Sequence, residues 1–561
     1  MKVSEIKYQR ADLERTKADI ARVTQQVKNA GSAQDVLSAR AEYLEILVEF
    51  RTYSALAHIR FTLNTKDEFY QGEMKYYDEI HPLIAAQTLE FIRAVLASPY
   101  LEELKAHFPK PLIKFYEVSS KSFDERIVED KQQENAVVTE YTKLMAETLF
   151  EFRGEKLPRA LLGKHMKSGD RAVRREAYEA LGRGLESISE QLDDIFDRLV
   201  KIRHRMACKM GFENFVELGY YRMERLCYDK ETVKVFRENV LTDVVPVVTA
   251  LKRDAAKNLG IDSMMLYDND VYFKQGDAAP EGTVEQIFES GKRMYHEMSA
   301  QAGEFIDMMI KNDAFDVLPR DGKWGGGYMS SLPKYKQPFI LANFNGTADD
   351  VDVLTHEAGH ALADYLGGIN GNDPELYLGG METAEVHSMS MEFLCWPWME
   401  LFFGERAEDY KYSHLAGSLT FIPYGVIVDY FQQLIYENPD MTPAERNQTW
   451  LELEKKYRPH LSAEGIPYIE KGTRWQYQMH IYEMPFYYID YCLAQSVALQ
   501  FLLESRKNRD GTFARYFEFI GKGGMKVFTD LVKEAGLQSP FQPGALKAVA
   551  VSAEKLLDLL R

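Results

Sequence analysis

Apolar residues recur every three to four positions along most of this chain, the spacing of helices that bury one face. From about residue 10 to 65 charged and apolar positions interleave in this way, and Gln34 to Asn64 contains neither Pro nor Gly. The same spacing predicts helices over roughly 83–97, 132–153, 170–209 and 283–311. Turn-forming clusters interrupt it near 154–158, at 259–263 and at Gly276-Asp277-Ala278-Ala279-Pro280-Glu281-Gly282. One clear β signal follows: Gly325-Gly326-Gly327-Tyr328, a turn at Leu332-Pro333, then Pro338 to Phe344 as a strand. Val351, Val353 and Leu354, continued by Ala361, Leu362 and Tyr365, predict a helix that Gly367-Gly368 stops. Thr347, Asp349 and Asp350 are its N-cap candidates. After the turn-rich Gly371-Asn372-Asp373-Pro374, helical spacing resumes over Met381 to Phe393. The expected architecture is mainly α, with a helical lobe over 1–320, a second region over 321–500 carrying a small β-sheet, and a helical tail over 501–561. No internal repeat or low-complexity segment is present.

The helix predicted around 351–365 carries His356-Glu357-Ala358-Gly359-His360. Residues four apart share a helix face, so both imidazoles can point at one metal ion. Glu357 lies one residue round, where it can act as a base without being a ligand. A third ligand is required, and the second helix offers Glu382, Glu385 and Glu392, with His387 as an outsider. Glu385 and Glu392 are two helical turns apart and can face the first helix together. One can bind metal while the other hydrogen-bonds a ligating imidazole. The competing reading is a set of solvated helix-face acids, which the surrounding Met, Ala, Leu and Trp residues disfavour. Two imidazoles and a carboxylate suit zinc.

Downstream, His480-Ile481-Tyr482-Glu483-Met484-Pro485-Phe486-Tyr487-Tyr488-Ile489-Asp490-Tyr491 concentrates hydrogen-bond donors. A helix starting near Pro485 would put Tyr488 and Tyr491, or Tyr487 and Tyr491, on one face, with His480 on the loop before it. Such groups can stabilise an oxyanion opposite a metal; the alternative is an aromatic core stripe.

The zinc motif, Glu385 at its distance from His360, the Glu385-to-Glu392 spacing, the run Pro338 to Thr347 and the run His480 to Tyr491 together resemble the thimet oligopeptidase and oligoendopeptidase F family of zinc peptidases. The last run is most similar to the oligoendopeptidase F and Pz-peptidase branch. The close resemblance covers roughly 320–500. It implies a two-lobed, helical, zincin-like metallopeptidase with a deep substrate channel. It also implies one zinc per chain held by His356, His360 and Glu385, and Glu357 as general base. It favours His480 and Tyr491 as catalytic donors, then Tyr488, with Tyr482 and Tyr487 on the substrate. Gly326, Gly327 and Tyr328 would then belong to an edge strand that pairs with an extended peptide. One departure is Ala363, where some members carry a further His that is not a ligand. The expected activity is endopeptidase cleavage of short peptides. A dipeptidyl carboxypeptidase with the same chemistry, or a non-catalytic helical scaffold with a structural metal site, are the alternatives.

Composition changes this picture little. At 561 residues the chain can bury a large core. A formal charge of −18 and a pI near 5.3 disfavour nucleic acid and anionic membrane as partners. No apolar run is long enough for a transmembrane helix, and the start lacks a signal-peptide apolar region. The four cysteines (Cys208, Cys227, Cys395, Cys492) form no CxxC pair and read as reduced core residues. A cytoplasmic location is the expectation; oligomeric state has no signature here.

Overall fold

The computed structural model describes residues 1–561, the side chain of Ala160 excepted. Its contacts divide the chain into two compact units, each gathered from three segments. One comprises Met1–Lys121, Ala278–Ala407 and Val497–Leu537; the other comprises Ser122–Asp277, Glu408–Ser496 and Gln538–Arg561. The contiguous regions expected from the sequence cut across both. Helical periodicity reports which face of a segment is buried and not which distant segment buries it.

In the first unit, helices Leu13–Lys28, Ala33–Leu63 and Glu68–Leu96 share a core that includes Val23, Val36, Tyr43, Phe91 and Ile92. Asp12, Ser32 and Asp67 cap these helices, accepting from the amides of Arg15, Asp35, and Phe69 and Tyr70. Those amides have no partner within the helix, which is why a short polar side chain marks each start. In the second unit, Val128–Glu147, Arg171–Glu186 and Ser189–Lys209 are helices.

A hairpin went unforeseen there. Strands β1 (Leu149–Phe152) and β2 (Glu155–Pro158) pair antiparallel, where the expected helix to 153 ends at Glu147. Phe150 and Phe152 are buried while their neighbours are exposed, so the local period is two. Arg153 and Gly154 take φ of 51° and 86° at the turn; Arg in a left-handed position gives no sequence cue.

The sheet beside the metal motif lies in the first unit. Strands β3 (Phe315–Asp316), β4 (Tyr328–Leu332) and β5 (Gln337–Leu341) are ordered β3-β5-β4, with β4 antiparallel and β3 parallel to β5. Ile340, opposite Met329, donates its amide to Ala314 on the β3 side. Met329 therefore turns its own N–H and C=O away from β5, toward the other edge of β4. Among the described residues no strand pairs along that edge.

The helix bearing the metal motif runs Ala348–Asn370. Thr347 holds the N-cap position without capping the helix; its hydroxyl donates to Asn345 Oδ1 at 2.7 Å. Asp350 in the first turn instead accepts from the amides of Asn345 at 2.8 Å and Gly346 at 2.7 Å. Gly367 and Gly368 do not stop this helix; Gly371 does, at φ 72°. A Cβ at Gly368 would lie 3.1 Å from the Lys336 Cβ, so that glycine serves close packing. The next helix, Met381–Leu394, is buried on nearly every side, which explains its lack of a polar face.

The cysteines form no disulfide among the described residues. Cys395 and Cys492 are buried, but Cys208 is exposed and Cys227 half-buried, so the core reading fails for those two. No helix among the described residues is long and apolar enough to cross a membrane.

Candidate active site

Two helices of the first unit, Ala348–Asn370 and Met381–Leu394, meet at Gly359. A Cβ there would sit 2.6 Å from the His387 carbonyl oxygen and 2.7 Å from the Ser388 Cα. Both are backbone atoms that cannot swing aside, so the glycine inside the motif sets how closely the second helix approaches the first. Gly359→Ala is expected to cost about 1–3 kcal/mol by overpacking and to weaken metal binding, read as a lower Tm and lower retained metal. An unchanged Tm would show that the helices have slack.

That approach brings His356, His360 and Glu385 together. Their ligand atoms all lie within 4.8 Å of one another. The Glu385 Oε2 is 3.5 Å from the Nε2 of His356 and 3.8 Å from that of His360. Donors about 2.0–2.1 Å from a tetrahedral zinc are roughly 3.3–3.4 Å apart, so these three fit zinc with little movement. Three protein ligands leave one tetrahedral position for water or substrate. The Glu392 Oε1 lies 2.6 Å from His356 Nδ1, the arrangement that fixes an imidazole's orientation and tautomer.

The charge balance points the same way. Burial by itself disfavours the charged form of His356. The Glu392 carboxylate, with Glu385 and Glu357 nearby, overcomes this and lifts its pKa to about 10. His360 is driven well below the usual range by burial, by His356 and by His387. The pKa of Glu357 is raised, chiefly by burial; His356 and a hydrogen bond from the Met329 amide oppose the rise, while Glu385 and Glu392 add to it. Three carboxylates around two imidazoles make a pocket that attracts positive charge.

The Met329 amide puts the Glu357 carboxylate beside the unpaired edge of β4, a contact the sequence reading missed because a backbone donor leaves no residue signature. Gly326, expected to touch substrate, is held on its own side of the strand's start. Its carbonyl accepts from Asn343 Nδ2 at 2.8 Å, and a Cβ at 326 would fall 2.0 Å from the Trp324 ring. Tyr328 opens β4, and Gly327 directly precedes it. His387 is buried beneath the site with neither ring nitrogen bonded, and its carbonyl accepts from the Tyr516 hydroxyl at 2.7 Å. Glu382 is buried, its carboxylate lying where a Cβ at Gly380 would point.

The other expected residues belong to the second unit. His480 lies on a short helix, Met479–Glu483, and not on a loop; the long helix begins at Tyr488, after Pro485. Phe486 interrupts them at φ 70°. The Arg225 guanidinium donates to its carbonyl and Gln432 Oε1 accepts from its amide at 3.1 Å. Arg225 also reaches Asp490 at 3.2 Å. Neither Arg225 nor Gln432 was legible as a support of this segment.

The rings of His480 and Tyr488 are 5.0 Å apart, Tyr487 and Tyr491 4.8 Å, and Tyr488 and Tyr491 5.7 Å. These four form one cluster. Tyr482, expected on the substrate, is instead a core residue. It is fully buried, stacked 3.9 Å from Tyr141 and parallel to Trp475, and apolar stacking has claimed the ring.

Known proteins resemble this chain in sequence and fold. The profile of Peptidase family M3 matches residues 164–551, and that of the Peptidase M3 N-terminal domain matches residues 3–123. Oligopeptidase PepF of Bacillus subtilis (strain 168) is 22% identical over 567 residues, spanning 94% of this chain and 81% of its own. The solved structure of Pz peptidase A with an inhibitor matches with a TM-score of 0.93 at 41% identity, over 100% of this chain and 99% of that one. A structure from Bacillus anthracis str. Ames, assigned to oligoendopeptidase F, matches with a TM-score of 0.88 at 38% identity, over 99% and 98% of the two chains.

Proposed function

The chain belongs to peptidase family M3 and is a metallopeptidase that cleaves internal peptide bonds, and on that premise we propose how its residues divide the work on short peptides. His356, His360 and Glu385 hold one zinc ion, and Glu392 keeps the His356 ring turned toward it. The observation that carries this is the convergence of the three ligand atoms within 4.8 Å, with Glu357 one residue from His356. When bound, zinc supplies a Lewis acid for the substrate carbonyl and for the attacking water.

Glu357 takes the proton of that water and returns it to the leaving amine. Burial raises its pKa, and a carboxylate that holds its proton more tightly is the stronger base toward that water. The Met329 carbonyl and the neighbouring amide and carbonyl groups along the free edge of β4 bind the peptide main chain, so recognition is largely independent of side chains. Because the Met329 amide reaches Glu357, a peptide laid along this edge passes beside the base.

The tetrahedral intermediate carries negative charge, and a hydrogen-bond donor is worth most where that charge develops. We assign that role to His480 and Tyr491, with Tyr488, and substrate contact to Tyr487; the clustering of these four rings in the second unit supports the assignment. Burial lowers the pKa of His480, which keeps the ring neutral with one N–H to donate.

The purified protein is expected to cleave a quenched-fluorescent peptide, to lose that activity with a chelator and to regain it with zinc. Tyr491→Phe is expected to lower kcat by about 10²–10³-fold with KM little changed. Cleavage unaffected by chelation would overturn the metal assignment; full activity in Tyr491→Phe would remove that tyrosine from the mechanism.

A further inference from the structure

We propose that Trp324, with Tyr328 and His58, forms a side-chain subsite that selects peptides bearing an aromatic or large aliphatic residue at one position near the cleaved bond. The inference deepens the proposed function and rests on the reading that substrate pairs along β4.

Side chains of a strand alternate between its two faces. On β4 the odd positions face the metal-motif helix: a Cβ at Gly327 would meet the Val353 Cγ1 at 3.6 Å. The even positions face the long helix Ala33–Leu63, where the Tyr328 hydroxyl is 2.5 Å from Thr62 Oγ1 and its ring 5.0 Å from that of His58. Gly326 belongs to this second set. Because it has no side chain, the Trp324 indole lies across it, 6.0 Å from the Tyr328 ring.

Trp324 is 44% exposed, yet its backbone is held on both sides. The Trp324 amide donates to the Thr62 carbonyl at 2.9 Å, and its carbonyl accepts from Asn343 Nδ2 at 2.8 Å. The preceding Lys323, its side chain fully buried, bonds Asp316 Oδ1 at 2.7 Å and the Leu318 carbonyl at 3.1 Å. A large apolar side chain on a pinned segment offers a ligand a rigid wall that costs little ordering to use.

A peptide added to the edge of β4 would alternate its side chains in the same way. Those toward the metal-motif helix carry the scissile region past Glu357. Those on the other face meet the wall of Trp324 and Tyr328, where a planar or bulky apolar group gains stacking and burial and an alanine gains little. Main-chain pairing supplies general affinity; the indole supplies preference.

The test compares kcat/KM for peptides that carry Phe or Ala at each position flanking the cut. The intact enzyme is expected to prefer Phe roughly tenfold or more at one position. Trp324→Ala should bring that ratio to within about twofold of unity while the Ala peptide is cleaved nearly as before, and Trp324→Phe should retain most of it. Retained zinc and Tm report whether the fold survives; should Trp324→Ala not fold, Trp324→Leu reads the same ratio. A ratio unchanged in both variants overturns the subsite. Substrates N-methylated at successive amides test the premise separately. If no methylation slows cleavage, pairing along β4 is wrong, whereas a lost Phe preference in that case would still locate the subsite at Trp324.

Discussion

Glu357→Gln is expected to bind zinc as the unmodified protein does and to lose about 10²–10⁴-fold in kcat, the usual contribution of a positioned general base. The substitution keeps the shape of the side chain and its ability to accept from the Met329 amide, so the metal-motif helix and the edge of β4 have no reason to move. What disappears is basicity: an amide cannot take a proton from water near neutral pH. Glu357 is not among the converging ligand atoms, so metal content should be untouched, and removing one carboxylate from a pocket with three even eases their mutual repulsion. The check is metal analysis of the dialysed protein alongside single-turnover cleavage of a quenched-fluorescent peptide. Substantial turnover with zinc in place would exclude Glu357 as the base and turn attention to Glu392 or Glu385.

Glu385→Ala should do the opposite, losing the metal first and activity as a consequence. The Glu385 Oε2 is the shared neighbour of both imidazoles, at 3.5 and 3.8 Å, and no other carboxylate joins the converging group among the described residues. Two imidazoles alone make a weak site. Zinc affinity is expected to fall by more than about 100-fold, beyond the roughly 10–100-fold typical of losing a group that orients a ligand. Glu392→Gln provides that comparison, since Glu392 touches His356 Nδ1 and is not one of the three. Titration with a competing chelator measures both. Equal loss in the two variants would mean that the assignment of ligand and support is wrong, and activity in Glu385→Ala should return in part only at high zinc if metal loss is its sole defect.

Much of the site was legible because its chemistry lies close together in sequence. His356 and His360 fall on one helix face by simple periodicity with Glu357 one residue round, and Glu385 and Glu392 occupy the next helix two turns apart. The short strands around Leu332-Pro333 were likewise visible from the glycines, the proline turn and the apolar run from Pro338. The hairpin at β1 and β2 was not, because its turn uses Arg153 where Asn or Asp would have signalled it. The helix stop was misplaced for a related reason: Gly367 and Gly368 look like a terminator, but one of them makes room for Lys336. The tyrosine run is dense in donors, yet periodicity could not distinguish Tyr482, stacked on Tyr141 in the core, from the cluster around Tyr491.

By itself the sequence determined the candidate ligands and base of the first helix, since two histidines and a glutamate at fixed helical spacing constrain one another wherever the helix lies. Only the tertiary structure decided which long-range partners complete the site. The collision that any side chain at Gly359 would make with the His387 carbonyl sets the spacing of the two helices, and hence of the ligands. The register of β4 against β5 aims the Met329 amide at Glu357, and the missing side chain at Gly326 lets Trp324 lie beside the free edge. Each of these is a distance between backbones far apart in the chain, and such distances are fixed by packing, which local periodicity does not encode.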